Sequence, residues 1–251
     1  MKKSDLTIKK LMEYARGQLI GKYSIAMIAA LLPGIINYAV SALVPGGAYG
    51  PASTFLIGFF ASVVINLLMG TLLYGQASVF LKLARGESLP LISDLFIGFK
   101  QNVDKAILIQ APFTLVSVIC SLPSVGEVFG LINVPYEKQI GYDVILMIIQ
   151  IVLILLVNLW LGMCYFIMAD HPDYDVKTVY SESIRLLKGN RLKYLLLHIA
   201  GLPLYIAGLL ACCVGMFWAK SFMETVRANF YLMLIDETPW SIDKELEETR
   251  V

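Results

Sequence analysis

Lys220, Glu224, Arg227 and Tyr231 follow one another at spacings of four, three and four residues within "FWAKSFMETVRANFYLML" (217–234). On an α-helix that spacing places the four side chains on one narrow face. Charges of interleaved sign in so apolar a stretch have three uses. They can neutralise one another as a structural ion cluster, line the path of a solute, or mark a helix that lies at the membrane surface without crossing it. An unpaired charge at mid-bilayer costs about 2.5–3.5 kcal/mol on insertion scales. The face is therefore expected to turn toward other helices or a wet cavity, not toward lipid.

A second constellation is "ADHPDYD", which brings Asp170, His171, Asp173 and Asp175 within six residues. Carboxylates and an imidazole at that density suit a divalent metal or phosphate chemistry. Against this, Pro172 makes the stretch a turn, and Asp173 or Asp175 is placed to cap the next helix. Asp170, His171 and Asp173 are thus weak metal candidates in a segment whose expected role is structural. His198 stands alone in an apolar run and reads as a hydrogen-bonded packing residue. Asn37, Asn66, Gln76, Gln110, Gln150 and Asn158 are amides in apolar runs, suited to bonding between helices. No Walker loop, nucleophile elbow or HExxH motif occurs, so no enzyme class finds support and no cofactor is expected. Cys120, Cys164, Cys212 and Cys213 fall in apolar runs without metal-ligand spacing and read as small buried hydrophobes, with Cys212-Cys213 as a redox pair the alternative.

The elements that must position these residues are membrane helices. Of 251 residues, 58% are hydrophobic and 16% charged, against about 45–50% and 25% for a soluble domain. Five apolar runs, 23–44, 55–83, 106–122, 144–169 and 194–214, are each long enough for a crossing, which takes about 20 residues. Backbone in lipid must bond to itself, so the runs are expected to be helices. The stretch 217–234 is the sixth. The opening "MKKSDLTIKKLMEYARGQLIGK" is too polar for a cleavable signal peptide.

Charge sets the orientation. Of 20 lysines and arginines, six precede the first run, four surround the loop between the second and third, five lie between the fourth and fifth, and two are in the tail. With six crossings these 17 share one side, and the opposite loops hold only Lys138. Basic loops stay in the cytoplasm, so both termini are expected there. A net charge of +1 gives no global field for nucleic acid, which is excluded as a partner.

A threefold repeat is expected on top of this. Each cytoplasmic segment offers an amphipathic helix. The first, capped by Ser4, carries Ile8, Leu11, Met12, Ala15 and Leu19 on one face. The second, after Ser88, carries Ile92, Leu95, Phe96 and Phe99. The third, after Asp175, carries Val176, Val179, Tyr180, Ser183 and Leu187 and stops at Gly189. Each then leads through a glycine and a basic residue into an apolar run that reaches a proline, at Pro33, Pro112 and Pro203. The units close alike, in "VFLKLARGE", "YFIMADHPD" and "FYLMLIDET". The expected fold is therefore all-α: a single membrane domain, 1–236, of six transmembrane helices as three hairpins (units 4–84, 88–169 and 175–236), each preceded by a cytoplasmic amphipathic helix at the lipid surface. An acidic cytoplasmic tail, 237–251, follows.

Four pieces, "LFIGFK" (95–100), "IMADHPDYD" (167–175), "SESIRLLKGNR" (181–191) and "TVRANFY" (225–231), agree in order and spacing with a known family. The chain resembles the bacterial integral membrane proteins of domain of unknown function 975, over nearly its whole length. It departs from them in having Ser221-Phe222 where they often have Pro-Tyr. The resemblance implies fold and location, and no activity. The expected role is a non-enzymatic accessory, scaffold or lipid-responsive component of the cell membrane, with membrane lipids and other membrane proteins as partners. The alternative is a small-solute or lipid transporter whose path uses the Lys220–Glu224–Arg227 face. A lipid head-group enzyme built on "ADHPDYD" ranks third.

Overall fold

A computed structural model describes residues 8–44, 52–87, 92–210 and 214–235. Ser4, the start of the second unit at Ser88, Cys212-Cys213 and the tail 237–251 lie outside the described residues. Every regular element within them is helical: α1 (Ile8–Leu19), α2 (Tyr23–Ala42), α3 (Ala52–Arg85), a 3-10 segment (Ile92–Phe96) running into α4 (Ile97–Lys100), α5 (Val103–Val128), α6 (Tyr136–Leu161), α7 (Cys164–Asp170), α8 (Val176–Leu187), α9 (Arg191–Leu210) and α10 (Val214–Leu234). Among the described residues five helical stretches are long and apolar enough to cross a membrane: α2, α3, α5, α6 continued through α7, and α9. These are the five apolar runs of the sequence.

α10 is a helix of 21 residues but is not one of the five, because its apolar content is diluted by three charges and the amide of Asn229. Its setting explains how such a sequence is tolerated. From Ala219 to Leu234 it is buried at nearly every position, with Val226, Ala228 and Leu232 fully enclosed. It packs against α9, α2, α1 and α3, so protein, not lipid, meets its polar side chains.

The remaining packing follows a cyclic order. α1 lies on α10, the 92–100 segment on α3, and α8 on α7 and α6. α2 sits between α3 and α10, α5 between α6 and α3, and α9 between α10 and α6. The short helices are seated on the protein by their apolar faces. Leu11, Ala15 and Leu19 of α1 and Val179, Ser183 and Leu187 of α8 are buried, while Lys9, Lys10 and Arg16 stay exposed. This corrects the expectation that these faces sink into the lipid surface: the bundle itself covers them.

Two local departures from the expected pattern have steric reasons. The second short segment is a 3-10 turn and a single helical turn, and Ile92 and Phe99 of its expected apolar face are exposed. The segment lies flat on α3 through two glycines. A Cβ on Gly75 would fall 1.9 Å from the Leu95 carbonyl oxygen, and one on Gly98 would fall 2.1 Å from that of Thr71. Gly98 therefore serves close approach, and the left-handed turn before the next span is made by Asn102 (φ 57°), whereas Gly21 (φ 76°) and Gly189 (φ 86°) make it in the other two. The fourth run is also interrupted at Gly162-Met163, between α6 and α7.

Candidate functional site

The interruption at Gly162 faces the pair that the sequence singled out. Arg227 Nη1 donates to both oxygens of Glu224, at 2.9 and 3.0 Å, and its Nη2 donates to the Gly162 carbonyl at 3.2 Å. The guanidinium also stands 5.8 Å from the centre of the Phe166 ring. An i,i+3 pair on an exposed helix contributes little. Here the side chains are only 19% and 22% exposed, so each charge depends on the other for compensation.

The other two members of the predicted face go elsewhere. Lys220 makes no ion pair among the described residues. Tyr231 donates through its hydroxyl to Asp170 Oδ2 at 2.9 Å, and the second oxygen of that carboxylate meets Arg85 at 2.7 Å. Asp170 is thereby committed to tying the ends of α3, α7 and α10 together. His171 caps α7 with its ring stacked on Tyr174, its Nε2 3.9 Å from Asp170, and Asp173 is exposed. Among the described residues no group of three or more His, Cys, Asp or Glu side chains is disposed to hold a metal ion. His198 places Nδ1 2.9 Å from the Tyr194 carbonyl, one turn back.

Glu224 and Arg227 form one wall of a half-open cavity of about 310 Å³ between α3, α5, α6, α7 and α10. Four of the amides flagged in the sequence, Asn66, Gln76, Gln110 and Asn158, converge on it, joined by Thr114, Ser117 and Tyr165. Tyr165 donates to Gln110 Oε1 at 2.6 Å. Asn66 and Asn158 donate to carbonyls of their own helices, Ser62 and Ile154. A second cavity of about 190 Å³ shares Asn66, Thr114 and Ser117 with the first and continues past Ser62 and Ser121. Polar groups thus run from the charge pair along the α3–α5 seam. Asn37, by contrast, is half-buried away from this cavity and accepts from Ser41.

A model of the family described as "protein of unknown function (DUF975)" matches residues 1–238. The chain belongs to that family. Comparison with curated proteins and with solved structures gave no match. In this DUF975 chain the polar cavity residues missed from sequence include Thr114, Ser117 and Ser121. With Gln110 they fall at i, i+4, i+7 and i+11, the stripe of one helix face. That periodicity, set in an apolar run, is the signal that finds the seam. A further pair with no sequence signal is Gln18 with Asn229, whose amides bond reciprocally at 2.6 and 3.0 Å and join α1 to α10.

Proposed function

We propose that this DUF975 protein is a non-enzymatic, six-crossing protein of the cell membrane that moves a small polar solute through the cavity beside Glu224 and Arg227. The observation that carries the reading is the cavity itself: amides, hydroxyls and a charge pair line it in the interior of helices that are otherwise apolar. Polar groups within a bilayer are costly and mark pathways for solutes and ions, and sites for small ligands form between the helices of bundles. This supports transport over the accessory or scaffold role, for which no comparable groove stands out.

The sixth crossing is α10. At about 1.5 Å per residue its 21 residues reach roughly 30 Å, and its enclosure by α1, α2, α3 and α9 removes the lipid contact its charges would forbid. Both termini then lie in the cytoplasm with the basic loops. The chain consists of three units, 4–84, 88–169 and 175–236. The cyclic packing supports this, since each short helix rests on the closing helix of the preceding unit and the first returns to the third. Lipid is the partner of the outward faces, above all α6, with anionic headgroups beside Lys9, Lys10 and Arg16.

Osmotic swelling of proteoliposomes tests the reading. Vesicles carrying the protein, shrunk in a panel of small polar solutes, should re-swell faster than empty vesicles for at least one of them. Ser117→Phe, which fills the seam without removing any of the hydrogen bonds above, should abolish the difference. Identical re-swelling of protein-containing and empty vesicles across the panel would refute transport.

A further inference from the structure

We infer that the cavity selects solutes of zero net charge that present acceptor oxygens, either a small zwitterion or a neutral polyhydroxyl or amide molecule; this rests on the cavity being the solute site. Charge balance is the first ground. Glu224 and Arg227 line the cavity as one anion and one cation held together. The remaining polar liners are amides, hydroxyls and a phenol, uncharged at neutral pH. A solute with net charge would bring into this site a charge that nothing there balances, and an uncompensated buried charge is strongly disfavoured. A neutral or zwitterionic solute leaves the balance intact.

The donor set is the second ground. Gln76 is 4% exposed and Thr114 5%, yet the Gln76 amide nitrogen and the Thr114 hydroxyl find no hydrogen-bond partner among the described residues. Both residues line the cavity. Gln110 has its carbonyl oxygen committed to Tyr165, which leaves its N–H groups for another acceptor. Buried polar groups are nearly always paired, so the Gln76 and Thr114 donors of α3 and α5, with the Gln110 N–H groups beside them, describe a site completed by oxygens from outside the chain.

Thermal shift of the purified protein in detergent, at matched ionic strength, reads the selectivity. The probes are glycine as a zwitterion, glycerol and urea as neutral molecules, acetate and phosphate as anions, and ethanolammonium as a cation. At least one net-neutral probe should raise the melting temperature saturably, and the charged probes should not. Glycine alone acting identifies a zwitterion site; glycerol or urea acting identifies a neutral one. Gln76→Leu and, independently, Thr114→Val should abolish the shift while Lys220→Ala retains it. A saturable shift from acetate, phosphate or ethanolammonium equal to or larger than that from the net-neutral probes overturns the inference and leaves the cavity as a solute site. No shift from any probe, together with no difference in swelling, overturns both.

Discussion

Tyr231 and Asp170, 61 residues apart, are joined at 2.9 Å, and Arg85 meets the other oxygen of the same carboxylate at 2.7 Å. The three residues stand at or near the ends of α10, α7 and α3, so one carboxylate fastens the three closing helices where their last turns meet. Removing it strips two elements of a common partner. Asp170→Ala should cost about 2–3 kcal/mol, in the range of hydrogen bonds to charged groups. Tyr231→Phe removes a single donor and should cost about 1 kcal/mol. Melting of the purified variants checks the order; a Tyr231→Phe loss as large as that of Asp170→Ala would show that the carboxylate does not hold the junction.

Glu224 and Lys220 separate a paired charge from one without an ionic partner among the described residues. Glu224→Ala leaves Arg227 buried without a carboxylate, beside the Gly162 carbonyl, the Phe166 ring and the Tyr194 side chain. The cost should be about 3 kcal/mol, the lower end for breaking a buried pair. Lys220→Ala should change stability by less than about 1 kcal/mol, since no ion pair is lost. Equal, negligible shifts would mean that the Glu224–Arg227 pair contributes no stability.

The two ends of this site were unequally legible in the sequence. The apolar runs gave the five long helices because 20 residues of lipid contact require an unbroken apolar composition. Helix ends extend past the runs, to Val103 and Tyr136, because polar residues such as Asp104 and Glu137 continue a helix beyond the bilayer core. Glu224 and Arg227 were found by helical spacing, which is local. Tyr231 shares that spacing yet bonds to α7, since which neighbour stands beside a face is a tertiary matter. Gln18 with Asn229, 211 residues apart, is the extreme case: neither residue type nor spacing relates the two.

Glycine substitutions should split by sign. Gly75→Ala and Gly98→Ala drive a methyl into backbone carbonyls of Leu95 and Thr71, which cannot move without lifting the 92–100 segment off α3. Each should destabilise by about 2 kcal/mol or more, in line with overpacking. Gly17 lies in α1 with nothing within 4 Å of a Cβ, so Gly17→Ala should stabilise by about 0.5–1 kcal/mol through helix propensity. Chemical or thermal melts of the three variants decide it.

Alkaline stability should report on Tyr180. Its hydroxyl donates to the Leu108 carbonyl, and burial, with Cys164 adding to it, pushes its titration from 10.0 up to about 12. The folded protein therefore keeps a proton that the unfolded chain releases near pH 10. The contribution is complete below pH 10 and is lost as pH rises from 10 to 12. Tyr180→Phe should flatten part of the melting-temperature decline across that window and lower stability slightly at pH 7. An unchanged slope would show that Tyr180 titrates as it does in the unfolded chain.

The placement of α10 fixes the topology and can be read by labelling. With six crossings, the loops before α3 and α6 face outward and the loop before α8, with the tail, faces the cytoplasm. In a cysteine-free background, Ser53→Cys and Lys138→Cys should react with a membrane-impermeant maleimide added to intact cells, both positions being exposed. Lys177→Cys, exposed at the start of α8, and Ser241→Cys should react only after the membrane is opened. If α10 turned back without crossing, Ser241→Cys alone would change sides. External labelling there, with the other three positions as expected, would leave five crossings and put Glu224 and Arg227 on a helix that enters the bundle from outside.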